Sequence, residues 1–241
     1  MKIKIIVPIT LKSFRERAER EYKEYISKGC MFKDLQLDVE ILPEGEGPLT
    51  IQSEYDGAMA ERGAIALVEK AERDGYDGVV IDCFCDSGYY PAREVVGIPV
   101  VAAFETSIRF AQLLGDNISI VTPLKSNLPR LHRKARAMGA DNFIVSIPSI
   151  GIPVAELGES KGELIRNLED KMIQAIEKDR AQVFVLGCTG MMGVATAVQN
   201  KLKDKGYDVP VVNPAETCFR FMECLLVMGI KQSELSFPKR I

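Results

Sequence analysis

Ile98-Pro99-Val100-Val101-Ala102-Ala103-Phe104-Glu105-Thr106-Ser107-Ile108-Arg109-Phe110 recurs in the same chain as Val209-Pro210-Val211-Val212-Asn213-Pro214-Ala215-Glu216-Thr217-Cys218-Phe219-Arg220-Phe221. The proline, both valines, Glu-Thr, the arginine and the phenylalanine coincide at an offset of 111 (210 − 99). Two further pairs keep the same order. Val79-Val80-Ile81 runs into Asp82-Cys83-Phe84-Cys85-Asp86-Ser87-Gly88, and Val183-Phe184-Val185-Leu186 runs into Gly187-Cys188-Thr189-Gly190-Met191, the cysteines lying 105 apart (188 − 83). Ile3-Lys4-Ile5-Ile6-Val7-Pro8 parallels Ile118-Ser119-Ile120-Val121-Thr122-Pro123, and Leu-Lys-Ser follows both. Matched segments in one order read as two copies of one fold.

The rest of the chain fits that reading. Candidate strands run over Lys2–Pro8, Leu37–Leu42, Gly78–Asp82, Pro99–Ala102, Ile118–Thr122, Phe143–Ser146, Val183–Leu186 and Pro210–Val212, most of them too apolar to face water on either side, as parallel strands covered by helices should be. Helical periodicity fills the gaps, notably over Ala58–Arg73, which Gly75 stops, Gly162–Lys178 and Ala215–Met228. Strands alternating with helices give an α/β fold with parallel sheets. The expected organisation is two similar α/β halves related by a pseudo-two-fold, residues 1–106 plus 214–241 and residues 107–213, with the active site in the cleft between them. Pro43-Glu44-Gly45-Glu46-Gly47-Pro48 reads as a flexible loop, a plain surface connection in one reading and a lid over the cleft in the other.

Composition excludes several classes. With 241 residues, 46% hydrophobic and 27% charged, the chain has the make-up of an ordinary globular protein. A net charge of −3 gives no reason to expect a nucleic-acid or anionic-membrane partner. No apolar run approaches the ~20 residues of a membrane span. Met1 leads straight into a strand-like stretch without a signal-peptide pattern, so the expected location is the cytoplasm. Six cysteines are then read as buried or reactive thiols. Cys83-x-Cys85 lacks the usual metal-ligand spacing, and the single histidine, His132, lies in a basic helical stretch. Phosphate-loop and dinucleotide-binding patterns are absent, so no metal, nucleotide or other cofactor is expected.

At these motifs the chain resembles the hydantoin racemases of the aspartate/glutamate racemase superfamily. Asp82 through Gly88 stands where that family reads roughly Gly-Cys-Phe-Gly-Asp-Pro-Gly, and Gly187-Cys188-Thr189-Gly190-Met191 where it reads Gly-Cys-Ala-Gly-Met. Ile51-Gln52-Ser53-Glu54-Tyr55-Asp56 and Ala92-Arg93-Glu94 also look like family segments. The resemblance implies a cofactor-independent racemase and carries the catalytic roles onto Cys83 and Cys188. Asp82 and Cys85 replace family glycines, Ser87 replaces a proline, and Pro8-Ile9-Thr10 stands where many relatives have Pro-Asn-Thr. The Ala-Cys-Asn-Thr signature of the free aspartate and glutamate racemases is absent.

Two thiols suit such a reaction. Racemisation removes a proton from one face of a carbon beside a carbonyl and returns one to the other, which needs a thiolate and a thiol that exchange roles. A cysteine of pKa about 8.5 is only ~3% ionised at pH 7. Both cysteines read as preceding helices, whose N-terminal amides would favour the thiolate. The candidate substrate contacts are Pro8, Thr10, Phe84, Cys85, Thr122, Thr189, Gly190, Met191 and Glu216. Gly88 and Gly190 would let backbone amides approach a substrate carbonyl. Cys218 and Cys224 read as core residues, and Cys30 as a helix end without a role. The substrate expected is a 5-substituted hydantoin or related amino-acid derivative, a small molecule, taken by a chain that forms a possible homo-oligomer. Competing readings are an allantoin racemase or other isomerase or decarboxylase of the superfamily, a noncatalytic metabolite-binding protein, and a redox protein using Cys83 and Cys85.

Overall fold

A computed structural model describes residues 1–239. Eight strands form: β1 (Lys2–Val7), β2 (Gln36–Ile41), β3 (Gly78–Ile81), β4 (Val100–Ala102), β5 (Ile118–Val121), β6 (Ile144–Ser146), β7 (Val183–Leu186) and β8 (Val211–Val212). The helices are α1 (Lys12–Ser27), α2 (Glu54–Arg73), α3 (Tyr89–Val95), α4 (Ala103–Ala111), α5 (Leu128–Ala137), α6 (Lys161–Asp179), α7 (Ala195–Asp204) and α8 (Pro214–Met228). They fall into two compact units. One comprises Met1–Ala103 and the C-terminal stretch from Ala215; the other is Phe104–Pro214.

Each unit holds a parallel four-stranded sheet, in the order β2-β1-β3-β4 and β6-β5-β7-β8 respectively. The two orders are the same topology, so the sequence duplication is a duplication of fold. The central strands are buried almost throughout, which is why they read as unbroken apolar runs. Helix ends follow the local chemistry. Ser53 Oγ accepts the Asp56 amide at 3.1 Å to cap α2, and Gly75, at φ 77°, ends the same helix in the left-handed conformation. Ser160 caps α6 through the Glu163 amide at 3.3 Å.

Lys4 is the one charged side chain buried in β1. Its ammonium meets Glu40 Oε2 on β2 at 2.6 Å and lies 5.0 Å from the centre of the Tyr76 ring. Lys70 reaches Glu40 Oε1 at 3.2 Å. Burial pushes the Glu40 carboxyl up, but the hydrogen bonds from Lys4 and Lys70 outweigh it and hold the pKa below the usual range. A carboxylate with a lowered folded-state pKa contributes stability that is present above its unfolded pKa and is lost as pH falls through the folded one. Lys4→Met should therefore shift the Glu40 midpoint upward, because its burial is left less compensated. An NMR titration of the Glu40 carboxyl reads this, together with a smaller loss of stability on acidification than the wild type shows.

In the first unit α8 lies with α1 on one aromatic cluster. Tyr22, Tyr25 and Phe219 meet at ring separations of 5.4, 6.1 and 6.4 Å. Met222 sits so close to Gly78 on β3 that a methyl group there would collide with its sulfur. Glu223, 0% exposed, accepts the Met31 amide at 2.8 Å and the Cys30 thiol at 3.1 Å, and pairs with Arg220 at 2.8 Å. Arg220 also donates to the carbonyls of Tyr25 and Gly29 at the end of α1. Cys30 thus lies just past α1, as expected, but its thiol has a partner. Cys218 is buried as expected, whereas Cys224 is only half-buried and so departs from the core position read for it.

The C-terminal stretch covers the edge strand β4. Gln232 accepts from the Val100 amide and donates to the Ile98 carbonyl, which blunts an edge that would otherwise offer free backbone groups. The Arg93 guanidinium lies against both Tyr89 and Phe237. In the second unit α6 and α7 pack over Val121, Phe184 and Leu186. Lys205 and Lys201 reach Glu169 at 2.9 and 3.3 Å. Among the described residues, no helix is long and apolar enough to cross a membrane.

Candidate active site

In a parallel sheet of this order the chain leaves the two central strands toward opposite edges, and the crevice outside their C-terminal ends is where such folds bind ligands. The sequence places its candidates there in each unit. In the first, Pro8 and Thr10 follow β1, and Cys83, Phe84 and Cys85 follow β3. In the second, Thr122 follows β5, and Cys188, Thr189, Gly190 and Met191 follow β7.

The two cysteine turns have the same internal geometry. The Cys85 amide points at Cys83 Sγ at 3.4 Å, and the Gly190 amide points at Cys188 Sγ at 3.3 Å. The Cys83 carbonyl accepts from the Asp86 amide at 2.9 Å, and the Cys188 carbonyl from the Met191 amide at 3.1 Å. The entries match too: the Asp82 amide donates to the Ile6 carbonyl and the Gly187 amide to the Val121 carbonyl, both at 2.8 Å. A backbone N–H aimed at sulfur favours the ionised thiol.

This geometry corrects the expectation that the thiols sit at helix N-termini. α3 begins at Tyr89 and α7 at Ala195, six and seven residues past the cysteines. A full turn of irregular backbone intervenes, and the amide two residues on does locally what the helix end was expected to do. Gly190 gives its amide to Cys188 Sγ. Gly88, at φ 77°, is the residue before α3, packed against α2, where an added Cβ would lie 3.0 Å from the Glu61 carbonyl.

The remaining candidates differ in how they are held. Cys83 is 8% exposed, Cys85 and Cys188 are half-buried, and Phe84, Thr189 and Met191 are buried. Thr10 donates its hydroxyl to the Pro48 carbonyl at 3.3 Å and its amide to the same oxygen at 2.9 Å, tying the end of β1 to the Pro43–Pro48 loop. Thr122 is fully buried, and its hydroxyl accepts from Asn127 Nδ2 at 3.2 Å, while Asn127 Oδ1 accepts from Arg130 at 2.9 Å. That supporting chain was not legible in the basic run Arg130–Arg136, where Arg130 turns inward while His132 stays exposed. Glu216 lies in the first turn of α8, 3.8 Å from Arg220. Asp82 is 1% exposed, and the Tyr22 hydroxyl is held well above its ordinary pKa, by burial first and then by the Asp82 charge.

Gly187 shows why the second turn needs glycine before its cysteine. An added Cβ would lie 2.8 Å from the Val121 carbonyl oxygen and 2.9 Å from Thr122 Cα, both backbone. Gly187→Ala should cost about 1–3 kcal/mol through overpacking and displace Cys188; the urea midpoint and the alkylation rate of Cys188 read the two effects separately. An open groove of ≈ 930 Å³ lies elsewhere in the first unit, between the Gly45–Thr50 loop and α2, and none of the candidates lines it. Among the described residues no group of three or more His, Cys, Asp or Glu side chains is placed to hold a metal ion.

Comparison with known proteins agrees with the motifs. The Asp/Glu/Hydantoin racemase family model matches residues 26–222. A hydantoin racemase of Pseudomonas sp. (strain NS671) is 30% identical over 99% of this chain and 91% of its own, and one from Paenarthrobacter aurescens is 29% identical over 97% and 94%. The solved allantoin racemase from Klebsiella pneumoniae superposes with a TM-score of 0.88 at 25% identity, covering 100% of this chain and 95% of its own. With the family model and the near-full-length relatives in agreement, the chain belongs to the Asp/Glu/hydantoin racemase family and is an isomerase of the racemase type.

Proposed function

We propose that the chain racemises a small five-membered cyclic ureide, a hydantoin substituted at C5, by two-thiol proton transfer between Cys83 and Cys188. The observation that carries this is the matched pair of turns, each presenting one cysteine sulfur to the amide two residues on. Hydantoin and allantoin, the compounds named for the relatives above, share that ring, so the ring is the common denominator and the C5 substituent is what varies. The C5 hydrogen lies beside the C4 carbonyl, and its removal gives an enolate.

The steps follow from the residues. One cysteine, as thiolate, takes the C5 proton from one face. Charge moves onto the C4 oxygen, where a hydrogen-bond donor lining the cleft stabilises it. The other cysteine, as thiol, gives its proton to the opposite face. The two thiols then hold exchanged protonation states, and the enzyme is ready for the opposite enantiomer. This arrangement requires the two units to flank one cleft about a pseudo-two-fold, with residues 1–106 plus 214–241 on one side and 107–213 on the other. Pro8, Thr10, Phe84, Cys85, Thr122, Thr189, Gly190, Met191 and Glu216 are proposed to shape that cleft, Thr122 by backbone and position rather than by its engaged hydroxyl. The reaction as written uses no metal, nucleotide or pyridoxal phosphate. The reading places the enzyme in the cytoplasm, with a small molecule as its partner rather than nucleic acid or membrane, and with self-association open to it.

The test is polarimetry on pure enantiomers of 5-substituted hydantoins and of allantoin, with and without a chelator. Loss of optical rotation with C5 deuteration in D₂O, unaffected by the chelator, is the expected result. Activity abolished by the chelator and restored by one metal would overturn the mechanism.

A further inference from the structure

We infer that Cys85 is a resolving thiol, able to close a reversible disulfide with Cys83 when that sulfur is oxidised. The inference rests on Cys83 being a reactive thiolate, as in the reading above, and concerns a second chemistry of the same turn.

The geometry is local. The Cys85 amide nitrogen lies 3.4 Å from Cys83 Sγ. An N–Cα bond adds ~1.46 Å, so Cys85 Cα lies no more than about 4.9 Å from that sulfur. The Asp86 amide bonds the Cys83 carbonyl at 2.9 Å, which closes a turn over residues 83–86. Cys83 and Cys85 are the first and third residues of that turn: two ~3.80 Å Cα–Cα steps bound their separation at about 7.6 Å, and the bend of the turn shortens it toward the ~4.4–6.8 Å that a disulfide needs. Cys83 is buried and Cys85 half-buried, so the second thiol is the more open of the two.

The second unit supplies the contrast. Its turn has the same hydrogen bonds, but Gly190 stands in the place of Cys85. Cys188 is the one cysteine between Phe104 and Pro214. The backbone of the turn therefore does not require a cysteine, and only Cys83 has a second thiol within its own turn.

The chemistry balances with a hydroperoxide as oxidant. The Cys83 thiolate attacks the terminal oxygen, the O–O bond breaks, and an alcohol leaves; the sulfur is now a sulfenic acid. The Cys85 thiolate attacks that sulfur, the S–O bond breaks, and hydroxide leaves as water. The two sulfurs have lost two electrons, and the peroxide has been reduced to alcohol and water. A ring closed across one intervening residue is strained, and strained disulfides are readily reduced, so a dithiol restores both thiols while being oxidised to its own disulfide. Without Cys85 the sulfenic acid stays open to further, irreversible oxidation.

The full-length protein is treated with tert-butyl hydroperoxide in the presence and absence of dimedone, acid-quenched, digested and read by mass spectrometry. In the wild type the peptide carrying residues 83 and 85 should become lighter by two hydrogens, resist alkylation, and recover with dithiothreitol. In Cys85→Ser, dimedone labelling of Cys83 should rise about tenfold, while labelling of Cys188 stays the same in both proteins. Equal dimedone labelling of Cys83 in both proteins, with no two-hydrogen loss in the wild type, would overturn the inference. The readout is mass, so it decides the inference whether or not the protein turns over a hydantoin.

Discussion

Cys83→Ser and Cys188→Ser should each lower racemisation by about 10³-fold or more, since each removes one of the two proton-transfer groups. Serine keeps the size of the side chain but has no accessible anion near neutral pH, so one face of C5 loses its base and its acid together. The loss should not be symmetrical in every assay. Proton abstraction alone needs one thiolate. Each single variant should therefore still exchange the C5 proton of one enantiomer with D₂O, and the two variants should choose opposite enantiomers. Proton NMR of pure enantiomers reads this directly. Two variants that racemise at the wild-type rate, or that exchange the same enantiomer, would remove the two-thiol assignment while leaving the family membership untouched.

The largest effect on stability is expected at Glu223. Its carboxylate is sealed from solvent and holds three partners from two elements: Arg220 of its own helix, and the Met31 amide and Cys30 thiol beyond α1. Glu223→Ala leaves a guanidinium and an amide facing an empty space. Breaking a buried charge pair from one side costs about 3–5 kcal/mol, and the low end applies here because Arg220 keeps part of its side chain in water. Glu223→Gln preserves an acceptor for the amide and should cost roughly 1–2 kcal/mol. Gln112, which the repeat offset places opposite Glu223, lies just past the end of α4 and is half-buried, and Gln112→Ala should stay below about 1 kcal/mol. Urea midpoints of the three variants provide the ranking, and Glu223→Ala matching Gln112→Ala would show that the cluster adds nothing.

These two positions mark how far sequence reasoning reached. The central strands were legible because a strand buried on both faces has no choice but to be apolar, and the repeat sorted the eight strands into two like sets, the partly buried β2 and β6 among them. Cys83 and Cys188 were legible because the repeat set them in register. The amides that face their sulfurs were not, because a turn's hydrogen bonds are set by backbone angles that Phe84 and Thr189 do not announce. Glu223 was hidden for another reason. The repeat makes Arg109 and Arg220 look equivalent, yet Arg109 meets Glu105 on an exposed helix face while Arg220 reaches the end of α1, 195 residues earlier in the chain. The available signal was a glutamate inside an otherwise apolar stretch, Phe221-Met222-Glu223-Cys224-Leu225. A charge there is tolerated only if something distant neutralises it.

The division of the first unit into two pieces of chain bears on how the protein is made. The ribosome delivers α1 and β3 early, but α8, which packs on both, emerges only after the whole second unit. At ~5–20 residues per second, the stretch between them takes on the order of ten seconds to translate. For that interval the faces of Tyr22, Tyr25 and Gly78 await Phe219 and Met222. The second unit, contiguous in the chain, can therefore complete before the first, whose sheet stays uncovered on that side until α8 arrives.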